Sequence, residues 1–293
     1  MKLLIVGLDG LEPELVERWN LALFKQRSYG RHYVGILRTL STPLLWGTFL
    51  IGRNVEELGY DVKTMMIRKN LGLFPLPLKP LYWLRVKLLP RRLGLRRVLR
   101  KMGLVKEYSA CIMPRRLIDM TFLEKLKSMG YSVHAIEVPG YNETINEKYR
   151  NMVPRYISSP FIVKLKTLMD ILEELKDRVK EGLEAVERGF DIVFVYLPMP
   201  DVAHHFFSKG DAKSMRGLRR VYTRLEQLIE PLIRRAYGEN YVVLIVSDHG
   251  FDFQTHDHSE YGFWSLNIDD FEFHTITDFC PKILELFERK ESI

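Results

Sequence analysis

Five of the eight histidines in this 293-residue chain stand next to or near aspartates, at or just after the ends of apolar runs. Asp201 leads into His204 and His205 (DVAHH), Asp248 precedes His249 (SDHG), and His256-Asp257-His258 follows shortly downstream. Asp9 closes the first apolar run of the chain, in GLDG. Neutral imidazole and carboxylate together form a donor set suited to zinc, manganese or iron, and cysteine has no part in it. A single pair such as His204-His205 reads as an ordinary core or surface histidine. The recurrence of the pairing at strand ends is what points to a metal site.

A second segment could carry nucleophilic chemistry: Ser41-Thr42-Pro43, followed by the apolar stretch LLWGTFLIG. A hydroxyl residue, a proline and then an apolar helix put Thr42 at a helix N-terminus, where the helix dipole favours an anion and a depressed hydroxyl pKa. Taken alone, the segment is better explained by Thr42 as a simple N-cap.

These residues need a scaffold that brings strand ends together. Leu3–Leu8, Ser132–Val138, Ile192–Leu197 and Tyr241–Val246 are apolar, β-branched and without alternation, as parallel strands covered on both faces should be. Helical patterns separate them: Arg115–Met129, a long one from Ser159-Pro160 to Gly189, Arg216–Ala236 and Pro281–Arg289. The alternation predicts an α/β fold around a mostly parallel sheet, with ligands at the carboxyl ends of the strands.

Composition bounds the rest. A hydrophobic content of 46% with 28% charged residues excludes disordered and fibrous classes. Two cysteines, Cys111 and Cys280, make neither a disulfide framework nor a thiolate metal site, which predicts a reducing, cytoplasmic setting. The first apolar run, Leu3–Leu8, is too short for a secretory core or a membrane span. The net charge of +7 is concentrated: 13 Lys and Arg and no acid lie between Lys63 and Lys106, so the remainder carries −6.

Together the motifs resemble the alkaline phosphatase superfamily, and within it the type I phosphodiesterase/nucleotide pyrophosphatase family. The resembling elements, in order, are GLDG (Asp9), TPLLWGTFLIG (Thr42), DVAHH (Asp201, His205), SDHGF (Asp248, His249) and HSEYGF (His258), spanning about positions 1–62 and 112–266. The resemblance implies a three-layer α/β/α sandwich forming one catalytic domain over residues 1–293. It implies two divalent metal ions, zinc first, with manganese or magnesium as alternatives. One would be held by Asp9, Thr42, Asp248 and His249, the other by Asp201, His205 and His258. Thr42 would attack phosphorus, forming a covalent phospho-threonine that water then hydrolyses. Spacing favours His205 over His204 and His258 over His256. The pattern departs from the family at Ile51-Gly52, where Thr-Gly is usual, and at Leu58-Gly59-Tyr60, in place of His-Gly-Ile. Lys63 falls where nucleotide pyrophosphatases place a phosphoryl-binding asparagine, so it is the candidate substrate-binding residue. No Cys/Ser-x-Pro-x-Arg segment surrounds Thr42, so sulfatase activity is not expected.

The function expected on this basis is a two-metal phosphohydrolase that cleaves phosphodiester or pyrophosphate bonds in a phosphate-ester or nucleotide substrate. The alternatives are a phosphomonoesterase or phosphomutase with the same site, and a non-catalytic protein that docks on phospholipid or nucleic acid. The basic Leu/Arg/Pro-rich insertion, residues 64–107, has three readings. It could be a lid over a polyanionic substrate through Arg97, Arg100 and Lys101. It could be a peripheral anchor on an anionic membrane through Trp83, Leu88, Leu89 and Leu95. Or it could be a solvated face packed by its leucines. No stable nucleic-acid partner is expected for the enzyme.

Overall fold

The computed structural model describes residues 1–72, 79–80, 110–269 and 271–288. Most of the basic insertion, with Trp83, Leu88, Leu89, Leu95, Arg97, Arg100 and Lys101, lies outside the described residues. One sheet of six strands organises the chain: β1 (Leu3–Leu8), β2 (Ser28–Tyr33), β3 (Val133–Ile136), β4 (Ile192–Leu197), β5 (Val242–Val246) and β8 (Tyr261–Leu266), in the spatial order β2-β8-β5-β1-β4-β3. Strands β5, β1, β4 and β3 run parallel, whereas β8 is antiparallel to both β5 and β2. A separate hairpin, β6 (Gly250–Asp252) with β7 (Asp257–Ser259), stands beside this sheet.

Every residue of β1 is buried, and its alternation feeds two cores. Leu4, Val6 and Leu8 join the core shared with the helices Phe161–Glu174, Lys176–Glu187 and Ala212–Gly238, while Leu3 and Ile5 join the one shared with Thr42–Ile51, Phe122–Ser128 and Phe279–Glu288. The result is the expected α/β/α sandwich with a mostly parallel sheet. The helix Thr42–Ile51 is buried along its whole length. It can lie so close because β1 carries Gly7, where a Cβ would come within 2.8 Å of the Trp46 ring.

Local details differ from expectation for physical reasons. Arg115–Met129 is not one helix: Arg115–Ile118 ends, and Thr121 caps a new helix, Phe122–Ser128, by accepting the Glu124 N–H at 3.3 Å. The long pattern to Gly189 is interrupted only at Leu175, between Phe161–Glu174 and Lys176–Glu187. The third parallel strand is shorter than its apolar run, Val133–Ile136 instead of Ser132–Val138. Strands β2 and β8 carried no clear signal, because β2 is half exposed at the sheet edge and both contain glycine.

Candidate active site

Asp9, the residue after β1, donates its N–H to the Leu197 carbonyl of β4 at 3.0 Å. The Asp201 N–H in turn donates to the Asp9 carbonyl at 2.9 Å, so the ends of two neighbouring strands are locked together. Gly10 makes this approach feasible: its φ is +72°, and a Cβ there would lie 2.9 Å from Asp201 Cβ. Asp201 opens the short helix Asp201–Phe206, which places His205 one turn on and on the same face. Asp248 and His249 follow β5, and His258 sits on β7 of the hairpin.

The side chains converge. His205 Nε2 lies 3.3 Å from Asp201 Oδ1 and 3.2 Å from His258 Nε2, and His258 Nε2 is 3.5 Å from the same Asp201 oxygen. On the other side, His249 Nε2 is 3.2 Å from Asp9 Oδ1 and 3.7 Å from Asp248 Oδ2. Among the described residues two groups have donor atoms close enough to share an ion: Asp201 with His205 and His258, and Asp9 with Asp201 and His249. Asp201 therefore belongs to both, and Asp248 stands against the second. The rings of His249 and His258 stack at 3.7 Å between centroids, joining the two groups.

Thr42 is the first helical residue, and Ser41 occupies the N-cap position without a side-chain cap bond. The Thr42 hydroxyl is thus released from capping, and it donates to Asp9 Oδ1 at 3.4 Å. The other histidines are turned away from the cluster. His204 is fully buried, with Nε2 3.0 Å from the Tyr222 hydroxyl, and burial lowers its pKa to about 3. His256 is exposed and its Nδ1 donates to the Ser208 carbonyl at 2.7 Å. Lys63 is exposed in the first turn of the helix Val62–Gly72, and among the described residues no hydrogen bond or ion pair ties it to the cluster.

Burial and the charges of close neighbours set the electrostatics of the cluster. Burial, then the charges of Asp9 and Asp201, push the Asp248 pKa well above the usual carboxylate range. Burial acts the same way on Asp201, but there His205 and His258 outweigh it and hold the carboxyl well below that range. Burial alone would lower His205, His249 and His258, yet their aspartate partners raise all three. Asp201 Oδ1, Asp248 Oδ2 and His249 Nε2 are buried and make no hydrogen bond. His249 Nδ1 faces the Gly250 carbonyl and His258 Nδ1 the Leu40 carbonyl, both at 2.8 Å. Those contacts put the ring protons on Nδ1 and turn the Nε2 lone pairs toward the carboxylates. Three carboxylates, three imidazoles, two of them oriented through Nδ1, and three buried ligand atoms without a hydrogen bond fit divalent cations.

Two contributors were not read from the sequence. The Tyr196 hydroxyl, at the end of β4, donates to Asp9 Oδ2. Glu12 is buried, and its carboxylate accepts the Phe251 N–H at 2.7 Å, fastening the hairpin to the loop after β1. A lone phenol in the otherwise apolar run IVFVYL was the available signal for Tyr196. Beside the cluster opens a cleft of about 740 Å³ lined by, among others, Glu12, Arg18, Arg31, Leu40, His258 and Tyr261.

Residues 96–268, more than half of the chain, match the family model for type I phosphodiesterase / nucleotide pyrophosphatase. The chain belongs to that family. The matched span contains Asp201, His205, Asp248, His249 and His258, and Asp9 and Thr42 precede it. No curated protein matches the chain significantly. Among solved structures, a 2-O GAG sulfatase aligns with a TM-score of 0.52 at 9% identity over 97% of this chain and 70% of its own, which shows the shared alkaline-phosphatase-like fold. A Pyrococcus horikoshii protein aligns at 12% identity over 98% of this chain and 97% of its own, with a TM-score of 0.49. Murine ectonucleotide pyrophosphatase / phosphodiesterase 5, an inactive variant in complex with AMP, aligns at 14% identity over 85% of this chain with a TM-score of 0.41. The present chain covers 57% of the length of that murine protein.

Proposed function

We propose that this protein is a metal-dependent phosphohydrolase that cleaves phosphodiester or pyrophosphate bonds, with Thr42 as nucleophile and a nucleotide or similar phosphate ester as substrate. The observation that carries the proposal is the meeting of Thr42 Oγ1 with a buried Asp–His cluster in which Asp201 Oδ1, Asp248 Oδ2 and His249 Nε2 make no hydrogen bond. Asp201, His205 and His258 would hold one divalent ion, and Asp9, His249 and Asp248, with Asp201 alongside, a second. Such a pair, when bound, lowers the pKa of a nearby hydroxyl and neutralises phosphoryl oxygens.

The chain's own residues supply the positioning. Asp9 fixes the Thr42 hydroxyl, and the start of the ten-residue helix Thr42–Ile51 favours negative charge at that oxygen. The Oγ1–P bond forms as the bond from phosphorus to the leaving oxygen breaks, and water later cleaves the phospho-threonine to restore the hydroxyl. The cleft beside His258 would take the leaving group, with Arg18 and Arg31 on its wall. Both cysteines are free and buried, in keeping with the proposed cytoplasmic location.

The test is turnover of bis-p-nitrophenyl phosphate and p-nitrophenyl phosphate by protein loaded in turn with zinc, manganese or magnesium. Diester turnover that vanishes in Thr42→Ala while the bound metal is retained is the expected result. No turnover of either ester with any of the three metals, or full activity in Thr42→Ala, would overturn the assignment.

A further inference from the structure

A second surface, behind the helix that carries Asp201 and His205, has the composition of a lipid-facing patch. Ile157, Ile162 and Val163 are exposed by 44%, 69% and 39%, and all three lie at the turn joining the helices Met152–Tyr156 and Phe161–Glu174. Isolated surface aliphatics are ordinary, but three at one turn, with Ile162 more than two-thirds bare, are not. The turn is anchored from below: Phe161 packs against Phe207 with the rings tilted by 41° and 5.3 Å between centroids, and Lys164 Nζ donates to the Phe206 carbonyl at 2.8 Å.

The charge nearest this turn is predominantly basic, with the acids Asp170 and Glu173 farther along the helix Phe161–Glu174. Residues 152–169 and 207–225 together carry nine Lys and Arg against a single acid, Asp211. The two stretches adjoin, because Lys213 Nζ sits 4.9 Å over the Phe161 ring. From Lys213 the exposed bases Arg216, Arg220 and Arg224 follow at spacings of three, four and four, which is one face of the helix Ala212–Gly238. Nothing in a phosphodiester cluster requires this stripe, and the rest of the chain offsets it: the chain outside Lys63–Lys106 is net acidic.

We propose that this face docks the protein on an anionic phospholipid bilayer, with Ile157, Ile162 and Val163 entering the acyl boundary and the Lys213–Arg224 stripe lying on the headgroups. Exposed aliphatics flanked by a basic stripe are what such a surface requires, since burial of apolar area and attraction to anionic lipid act together. A nucleic acid would engage the arginines but would have no use for a bare Ile162. The docking face is distinct from residues 64–107 and does not depend on the catalytic reading.

The experiment is sedimentation of the full chain with phosphatidylcholine vesicles, with and without phosphatidylserine. Binding is expected only to the anionic vesicles and is expected to fall as salt rises. Removing two stripe charges in Arg216→Gln/Arg220→Gln should weaken it about 25-fold, at about fivefold per charge. Ile162→Ser should weaken it about tenfold, and both variants should melt as the parent does because the altered side chains are exposed. Ile162→Trp gives a direct readout, a blue shift of its emission on vesicle addition and quenching by brominated acyl chains. Wild-type-like binding by the variants, no shift in the Trp protein, or RNA binding that is insensitive to Ile162→Ser with no vesicle binding would each overturn the proposal.

Discussion

Removing the hydroxyl of Tyr196 tests whether the orientation of Asp9 governs the site. The phenol is fully buried at the end of β4, its ring edge-on to Trp46 at 5.6 Å, and its hydroxyl donates to Asp9 Oδ2. That bond leaves Asp9 Oδ1 to face Thr42 Oγ1 at 3.4 Å and His249 Nε2 at 3.2 Å. Burial, and then the charge of Asp9, push the Tyr196 pKa well above its ordinary value, so the phenol remains a donor throughout the neutral range. Tyr196→Phe keeps the ring contacts and deletes one hydrogen bond to a buried carboxylate, a loss of about 1.5–3 kcal/mol. Should all of that be felt in the transition state, kcat/KM for the diester falls about 10- to 150-fold. Should it be felt in the ground state instead, the melting temperature falls by a few degrees and kcat changes little. The two measurements together account for the bond. A variant with kcat/KM within a factor of three of the parent and an unchanged melting temperature would show that Tyr196 does not set Asp9, and the reasoning would fail.

Three further outcomes follow from the same geometry. Because Asp201 belongs to both donor groups, Asp201→Asn should lose more bound metal than His258→Ala, and equal stoichiometries by elemental analysis would contradict the shared role. In metal-free protein, His205, His249 and His258 have raised pKa values, so the stability they contribute is full below the unfolded imidazole value of 6.5 and is lost as pH rises through their folded values. His32 and His204, buried neutral and lowered to about 3, act oppositely, contributing above 6.5 and losing as pH falls. Denaturation in chelator should therefore show maximal stability near neutrality and a decline on the alkaline side, which added metal reverses; a rise toward alkaline pH without metal would refute the pairing. Finally, Gly10→Ala puts a Cβ at positive φ and 2.9 Å from Asp201 Cβ, so it should cost about 1–3 kcal/mol by urea denaturation and displace Asp201 from the cluster. Full stability in that variant would show that the junction of β1 and β4 is looser than drawn.

How much could be read in advance depends on where the information resides. Three of the four parallel strands announced themselves because a strand buried on both faces must be apolar at every position, as Leu3–Leu8 and Ile192–Leu197 are, whereas Val133–Ile136 lies at the sheet edge with only Ile136 buried. Strands β2 and β8 did not, because an edge strand such as SYGRHY pays for solvent on one side with a mixed pattern, and Gly30 there is crowded by Trp264, a neighbour 234 residues away. The break at Thr121 was in fact written locally, since Thr-Phe-Leu-Glu places an acid three residues after a capping hydroxyl, but the amphipathic period running across it concealed the boundary.

The cluster follows the same rule with a different boundary. Asp201 and His205 meet because an aspartate and a histidine four apart share a helix face, while His204 points to the other side, where Tyr222 meets it. The double membership of Asp201 was not legible, because it arises from the adjacency of β1 and β4 and from the bond between the Asp201 N–H and the Asp9 carbonyl. Glu12 shows why such residues escape a reading by motif. One oxygen caps the helix Pro13–Trp19 at the Glu14 N–H, which is the role a local pattern assigns to it. The other accepts the Phe251 N–H and faces the Ser259 hydroxyl at 3.4 Å, spanning both strands of the hairpin that bears His258. Burial raises the Glu12 pKa, a penalty that no helix cap requires. The two hairpin contacts supply the reason for accepting it: they hold the His258 strand against the loop that carries Asp9, so that the two halves of the site share one rigid frame.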